Sequence, residues 1–329
     1  MKQFQIFILA SILTIFCLNI STGQSFNTIY SNNYNYFQFN PATSAQYEYS
    51  QFGINAIQEW NGFEKAPKSI NLYGTFIEVE EKRWALGGYA DLESFGVQRK
   101  IDVGFNYTYN LVQLENTLAI GLMPSYIHHG FKDPQNIDIS NSLNSFSAFA
   151  FDAGLFFSTS DPTQYSESFF YGGLSSEVTN MAFGENKENN FFTNINLLLG
   201  MRMWLGEQFF LEPRSQSTFN RIENKLLSSS LGLHLEQFDY KRFKSTFGYF
   251  IDVSYVWNNA KVDDLQFFNS SWVSLGLGPI LKMGSSNNWK TSNLLRAGVY
   301  FEYRIGEIQQ MSGYNIGINV NCLFFNQGM

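Results

Sequence analysis

Between positions 101 and 111 two kinds of residue alternate without a break. Ile101, Val103, Phe105, Tyr107, Tyr109 and Leu111 are apolar or aromatic, and Asp102, Gly104, Asn106, Thr108 and Asn110 between them are small or polar. A period of two puts each set on its own face of a β-strand. The pattern recurs through Phe247, Tyr249, Ile251, Val253, Tyr255 and Trp257, and again through Tyr314, Ile316, Ile318, Val320, Cys322 and Phe324. Such lengths suit tilted strands crossing a bilayer, for which about 9–11 residues are needed. Fourteen strands are predicted on this pattern, at 50–60, 69–79, 83–90, 100–111, 116–127, 146–158, 168–176, 191–204, 208–220, 227–238, 246–257, 270–283, 293–305 and 313–324. An even count lets both ends of a single-chain barrel lie in the periplasm. Connections such as 128–145, 177–190 and 258–269 read as the long extracellular side, and 80–82, 112–115 and 205–207 as the short periplasmic side.

Composition agrees with the pattern. The chain of 329 residues is 18% aromatic and only 15% charged, and its 34 Phe outnumber its 21 Lys plus Arg, which excludes a disordered chain. Mean hydropathy is nonetheless −0.17. Beyond the N-terminus no run of about 20 apolar residues exists to make a membrane helix, so apolar and polar residues must be interleaved. The expected fold is therefore all-β: an antiparallel up-and-down transmembrane β-barrel of about fourteen strands in the outer membrane, facing lipid. A net charge of −7 and the lack of any Lys/Arg-rich stretch leave no footprint for nucleic acid.

Met1-Lys2-Gln3, the apolar run Phe4 to Ile20 and the small residues Ser21-Thr22-Gly23 have the layout of a secretory signal peptide, 1–23, cleaved after Gly23. Phe16 before Cys17 disfavours a lipobox. The segment 24–49 is rich in Asn and Tyr and is expected to be a disordered lead or to pack at the periplasmic end or inside the lumen. Residues 50–329 form the barrel.

Catalytic chemistry is not singled out. There is no G-x-S-x-G, no H-E-x-x-H and no phosphate loop, so no enzyme, cofactor or metal site is expected. Cys322 alone in the mature chain makes no disulfide, and His128-His129 are expected in a solvated loop. In the strand at 293–305, Leu295, Ala297, Val299, Phe301, Tyr303 and Ile305 are expected to meet lipid, turning Arg296, Glu302 and Arg304 inward, because a mid-depth charge on the lipid face costs a few kcal/mol. That trio is read as a bracing network, with a ligand or constriction site as the alternative. The apolar and aromatic positions in 60–67 and 95–97 are the better functional lead.

Several segments resemble one family. Asn40-Pro41-Ala42, Glu59-Trp60-Asn61-Gly62-Phe63, Ala66-Pro67-Lys68-Ser69, and Leu86-Gly87-Gly88 with Asp91 and Gly96 are similar to the opening of the PorP/SprF family, outer-membrane proteins of the type IX secretion system of Bacteroidetes. Phe151 to Phe157 and Phe169 to Ser175 resemble its mid-barrel hairpin. Thr43-Ser44 and Glu59 depart from the family pattern. The resemblance implies a barrel that assists secretion or surface attachment of a cargo such as a gliding adhesin, through the cargo's C-terminal signal domain or the secretion and motility machinery. The implied partner-binding residues are Trp60, Gly62, Phe63 and Pro67 in the first loop, with Asn40 and Pro41. For Trp60 and Phe63 the structural alternative is an aromatic girdle at the membrane interface. A porin-like passive channel and an outer-membrane hydrolase are the other functional readings.

Overall fold

The computed structural model describes residues 35–45, 49–58, 68–77, 83–95, 98–113, 116–131, 145–159, 168–183, 191–206, 208–220, 225–239, 245–259, 269–283, 293–306 and 314–324. The expected signal peptide, and Trp60, Gly62, Phe63 and Pro67, lie outside them.

Fourteen strands are present: β1 (Ser50–Gln58), β2 (Lys68–Ile77), β3 (Trp84–Phe95), β4 (Gln98–Gln113), β5 (Thr117–Phe131), β6 (Phe146–Ser158), β7 (Phe169–Phe183), β8 (Phe191–Trp204), β9 (Phe209–Asn220), β10 (Lys225–Gln237), β11 (Phe247–Asn259), β12 (Asn269–Met283), β13 (Asn293–Gly306) and β14 (Tyr314–Phe324). Each pairs antiparallel with its sequence neighbours, and β1 closes on β14 from Ser50↔Phe324 to Gln58↔Ile316. Closure leaves no strand edge, which is what a bilayer interior demands of backbone amides.

Burial along the strands is the reverse of a soluble protein's. On β4, Phe105 is 55% exposed and its neighbour Asn106 0%. On β11, Ile251, Val253 and Tyr255 are exposed while Asp252 and Ser254 are buried. The apolar face therefore points out, toward lipid, and the polar face lines the lumen. β13 follows the same rule: Val299, Phe301 and Tyr303 are outside, and Tyr300 and Glu302 are buried inside.

Three strands run at least four residues further than the alternation predicts. β3 continues through Asp91 and Glu93 to Phe95, β5 through His128 and His129 to Phe131, and β7 through Glu177 to Phe183. The two histidines are thus strand residues, not members of a solvated loop, and His128 Nδ1 lies 3.0 Å from Ser147 Oγ on β6. The expected asymmetry of connections is only partial, because on the long-loop side just two positions, 96–97, separate the end of β3 from the start of β4.

The lumen is filled partly by tyrosines lying over glycines. Tyr73 is the direct cross-strand partner of Gly53, Tyr89 of Gly104, Tyr171 of Gly200 and Tyr300 of Gly276. In each pair a Cβ on the glycine would collide with the ring. Each glycine weakens its strand by offering no side chain to pack, and the aromatic from the next strand covers that gap. All four rings are buried.

Candidate functional site

Ahead of β1 the chain forms a short helix, α1 (Tyr36–Phe39), and a 3-10 turn (Pro41–Ala45). This segment sits inside the barrel. Phe37 joins a buried cluster that runs from Tyr73 and Tyr89 on β2 and β3 to Phe250 and Tyr300 on β11 and β13. Tyr36, Phe39 and Ala42 pack on Ala119, Phe156, Phe169, Tyr171 and Leu198. The segment thus touches both sides of the lumen through its aromatics.

Its turn is held by wall side chains that bond its backbone. Asn106 Nδ2 and Thr108 Oγ1 donate to the Pro41 carbonyl at 2.8 and 2.6 Å. Ser175 Oγ and Asn196 Nδ2 donate to the Phe39 carbonyl at 2.7 and 3.3 Å. Asn40 donates through Nδ2 to the Leu155 carbonyl at 2.9 Å, and its Oδ1 accepts from the Ala42 amide at 3.0 Å. The seat is shaped by glycine. A Cβ at Gly154 or Gly173 would overlap the Asn40 side chain, and one at Gly121 the Pro41–Ala42 backbone. Asn40 and Pro41 are both buried in this seat, so a partner outside the barrel does not reach them while the segment is in place.

Across the lumen a chain of ionic contacts runs over β8 to β13. Glu212 accepts from Arg202 at 2.8 and 2.6 Å and from the Tyr171 hydroxyl at 2.7 Å. Arg202 also lies 4.3 Å over the Phe210 ring, a cation–π contact. Arg214 donates to Asp252 Oδ1 at 2.7 Å and to the Tyr36 hydroxyl at 2.8 Å. Burial pushes the Tyr36 phenol up to about 12, so it remains a neutral group in the network, 3.5 Å from Glu212. His234 puts Nδ1 2.9 Å from Asp252 Oδ1 and Nε2 3.1 Å from Glu236 Oε2. Both ring nitrogens thus face carboxyl groups, an arrangement that matches a ring with two N–H donors. Arg296 closes the chain by donating to Glu236 Oε1 at 2.8 Å. A cavity of about 40 Å³ lies among these groups, lined by Tyr36, Tyr49, Arg202, Glu212, Arg214 and Arg296 among others. That is room for water but not for an organic substrate.

The inward trio expected on β13 is therefore not one cluster. Arg296 and Glu302 both face the lumen, but six residues of one strand, about 20 Å, separate them. Arg296 pairs with Glu236, whereas Glu302 accepts from Asn315 Nδ2 at 2.7 Å. Arg304 lies on β13, and its side chain is outside the described residues. Arg202, Glu212, Arg214, His234, Glu236 and Asp252, which carry most of the network, were not singled out by sequence reasoning. Their only signal was an ionisable residue at the polar phase of an alternating strand.

A second group of charges, on β3 to β7, is unbalanced. Asp91 faces Asp102 across β3–β4, and Asp152 faces Glu177 across β6–β7. Lys100 lies among them, 3.4 Å from Glu93 and 3.7 Å from Asp102. Tyr89 donates to Asp102 at 2.9 Å and Asn194 to Glu177 at 3.1 Å. Asp152 Oδ1 is buried with no hydrogen-bond partner among the described residues. No group of three His, Cys, Asp or Glu among those residues is arranged to hold a metal ion.

Comparison with known proteins agrees with this architecture. The sequence profile of the family described as type IX secretion system membrane protein PorP/SprF matches residues 24–321. No curated protein matches the chain by sequence. Among solved structures, the chain is similar to the CymD monoaromatic hydrocarbon channel, with a TM-score of 0.54 and 10% identity over 94% of this chain and 95% of that one. The Pseudomonas putida toluene transporter TodX gives 0.51 and 8% over 93% and 95%. A Pseudomonas aeruginosa FadL homologue gives 0.51 and 9% over 90% and 94%. At such identities the likeness is one of fold. It is the fold of outer-membrane barrels, and the apolar exterior puts this chain in the same membrane.

Proposed function

The chain belongs to the PorP/SprF family of type IX secretion system membrane proteins, and from that membership we propose that it is a non-enzymatic accessory barrel. It assists secretion or surface attachment of a cargo protein such as a gliding adhesin, by binding the cargo's C-terminal signal domain or the secretion and motility machinery. Residues 1–23 direct its export as a signal peptide. The observation that carries the reading is the family match across residues 24–321. The inner wall supports it: Asn106 and Ser175 donate to a segment of the same chain, and Arg202 and Arg214 pair with Glu212 and Asp252.

The contact with the partner is assigned to Trp60, Gly62, Phe63 and Pro67 in the β1–β2 connection. Loops ordinarily carry small polar turn residues, whereas Trp is enriched among residues that dominate binding energy, and Pro67 restricts the loop. The test is Trp60→Ala/Phe63→Ala in the native organism, with a tag on the barrel. The variant is expected to assemble normally, to lose a co-purifying cargo and to leave that cargo unsecreted. Normal secretion from a correctly assembled variant contradicts the assignment, and failure to assemble points to an aromatic girdle instead.

A further inference from the structure

We propose that residues 35–45 are the seal of the lumen, and that the Asn40-Pro41-Ala42 turn is the catch that holds this seal against the wall. This does not depend on the secretion partner.

Three observations meet here. First, the segment contributes no strand to the barrel, which closes through β1 and β14 without it. It is an internal ligand of a complete barrel. Second, the wall is built to receive it. Glycine inside a strand weakens that strand unless something must come close to the backbone, and Gly121, Gly154 and Gly173, on three successive strands, are the positions where the turn comes too close for any side chain. Opposite them, Asn106, Thr108, Ser175 and Asn196 direct their polar atoms at the two carbonyls, Phe39 and Pro41, that flank Asn40. Pro41 has no N–H and Asn40 turns its own oxygen onto the Ala42 amide, so apart from the Asn40 Nδ2 bond to the Leu155 carbonyl the turn presents acceptors to a wall that presents donors.

Third, the segment spans the lumen. Phe37 belongs to a buried cluster drawing on β1, β2, β3, β5, β9 and β11 to β14, while Tyr36 reaches Arg214 on β9. Without it, the polar groups that now hold its carbonyls would face each other across a water-filled channel. The grip is made of side-chain to backbone hydrogen bonds, each a modest net contact because water competes for the same groups. The catch therefore holds by several modest contacts acting together, and filling the seat should release it.

The experiment is ion conductance of the full-length protein in planar bilayers, beside a chain lacking 35–45 and the single variant Gly173→Val. Valine is favoured in strands, but at this position it occupies the place of the Asn40 amide. Wild type is expected to be electrically silent, and both variants to show a steady ohmic conductance. Folding of each is monitored by the heat-dependent gel shift of the barrel. If the deletion does not fold, Gly173→Val decides the matter. A conducting wild type overturns the seal whatever the variants do, and so does a folded Gly173→Val that is as silent as wild type. Loss of cargo secretion without any change in conductance would leave the secretion role standing and remove the seal.

Discussion

On the wall built by β8 to β13, each carboxylate of the ionic chain faces a cation: Glu212 meets Arg202, Asp252 meets Arg214 and His234, and Glu236 meets His234 and Arg296. On the wall built by β3 to β7, carboxylates face carboxylates, Asp91 opposite Asp102 and Asp152 opposite Glu177, with Lys100 beside Glu93 and Asp102. The two walls belong to one closed sheet with the same outward apolar face, so the lipid does not distinguish them. The difference lies in what each wall does for the fold. Paired charges tie five strands together, β8, β9, β10, β11 and β13, and breaking one partner leaves a buried charge uncompensated. Like charges directly opposite each other weaken a strand pair. One wall is a brace, and the other sets carboxyl groups against one another at some cost to stability.

The largest effect should come from Glu212→Gln. Its carboxylate is almost wholly buried and takes two bonds from Arg202 and one from Tyr171. Neutralising it should cost about 3–5 kcal/mol, read as a lower temperature for the heat-dependent gel shift. An unchanged midpoint would mean that the network does not brace the barrel. A smaller effect of opposite sign is expected from Asp152→Asn. This removes one member of the Asp152–Glu177 pair and should stabilise by about 0.2–1 kcal/mol. A clear loss of stability would show that Asp152 has a partner which holds it, and the contrast between the walls would fail.

The same contrast explains which parts of the structure were legible in the sequence. Alternation located all fourteen strands, because every crossing strand must separate a lipid face from a lumen face. It stopped short on β3, β5 and β7, where Asp91 and Glu93, His128 and His129, and Glu177 resemble the polar residues of a loop. In a barrel the inner face tolerates charge, so an ionisable residue at the polar phase does not end a strand. Leu92 and Val178 kept the apolar phase and were the signal to continue.

Direction was legible for Arg296 and Glu302, and partners were not. Which inward charges meet depends on register and strand tilt, which bring Arg296 to Glu236 across 60 positions of sequence. The tyrosine–glycine pairs were hidden for the same reason. Asn40-Pro41 stood out as a motif, but its place in the lumen follows from the glycine seat on β5, β6 and β7, which no local pattern marks.

The most direct test of the proposed role is deletion of the gene in its native organism, with the surface and secreted proteins and the uptake of small solutes measured in the same strain. An accessory barrel with a filled lumen predicts that one or a few secreted proteins, retaining their C-terminal signal domains, accumulate in the periplasm while solute permeability is unchanged. An unaltered set of secreted proteins together with reduced solute uptake would contradict the proposal and make the barrel a passive channel.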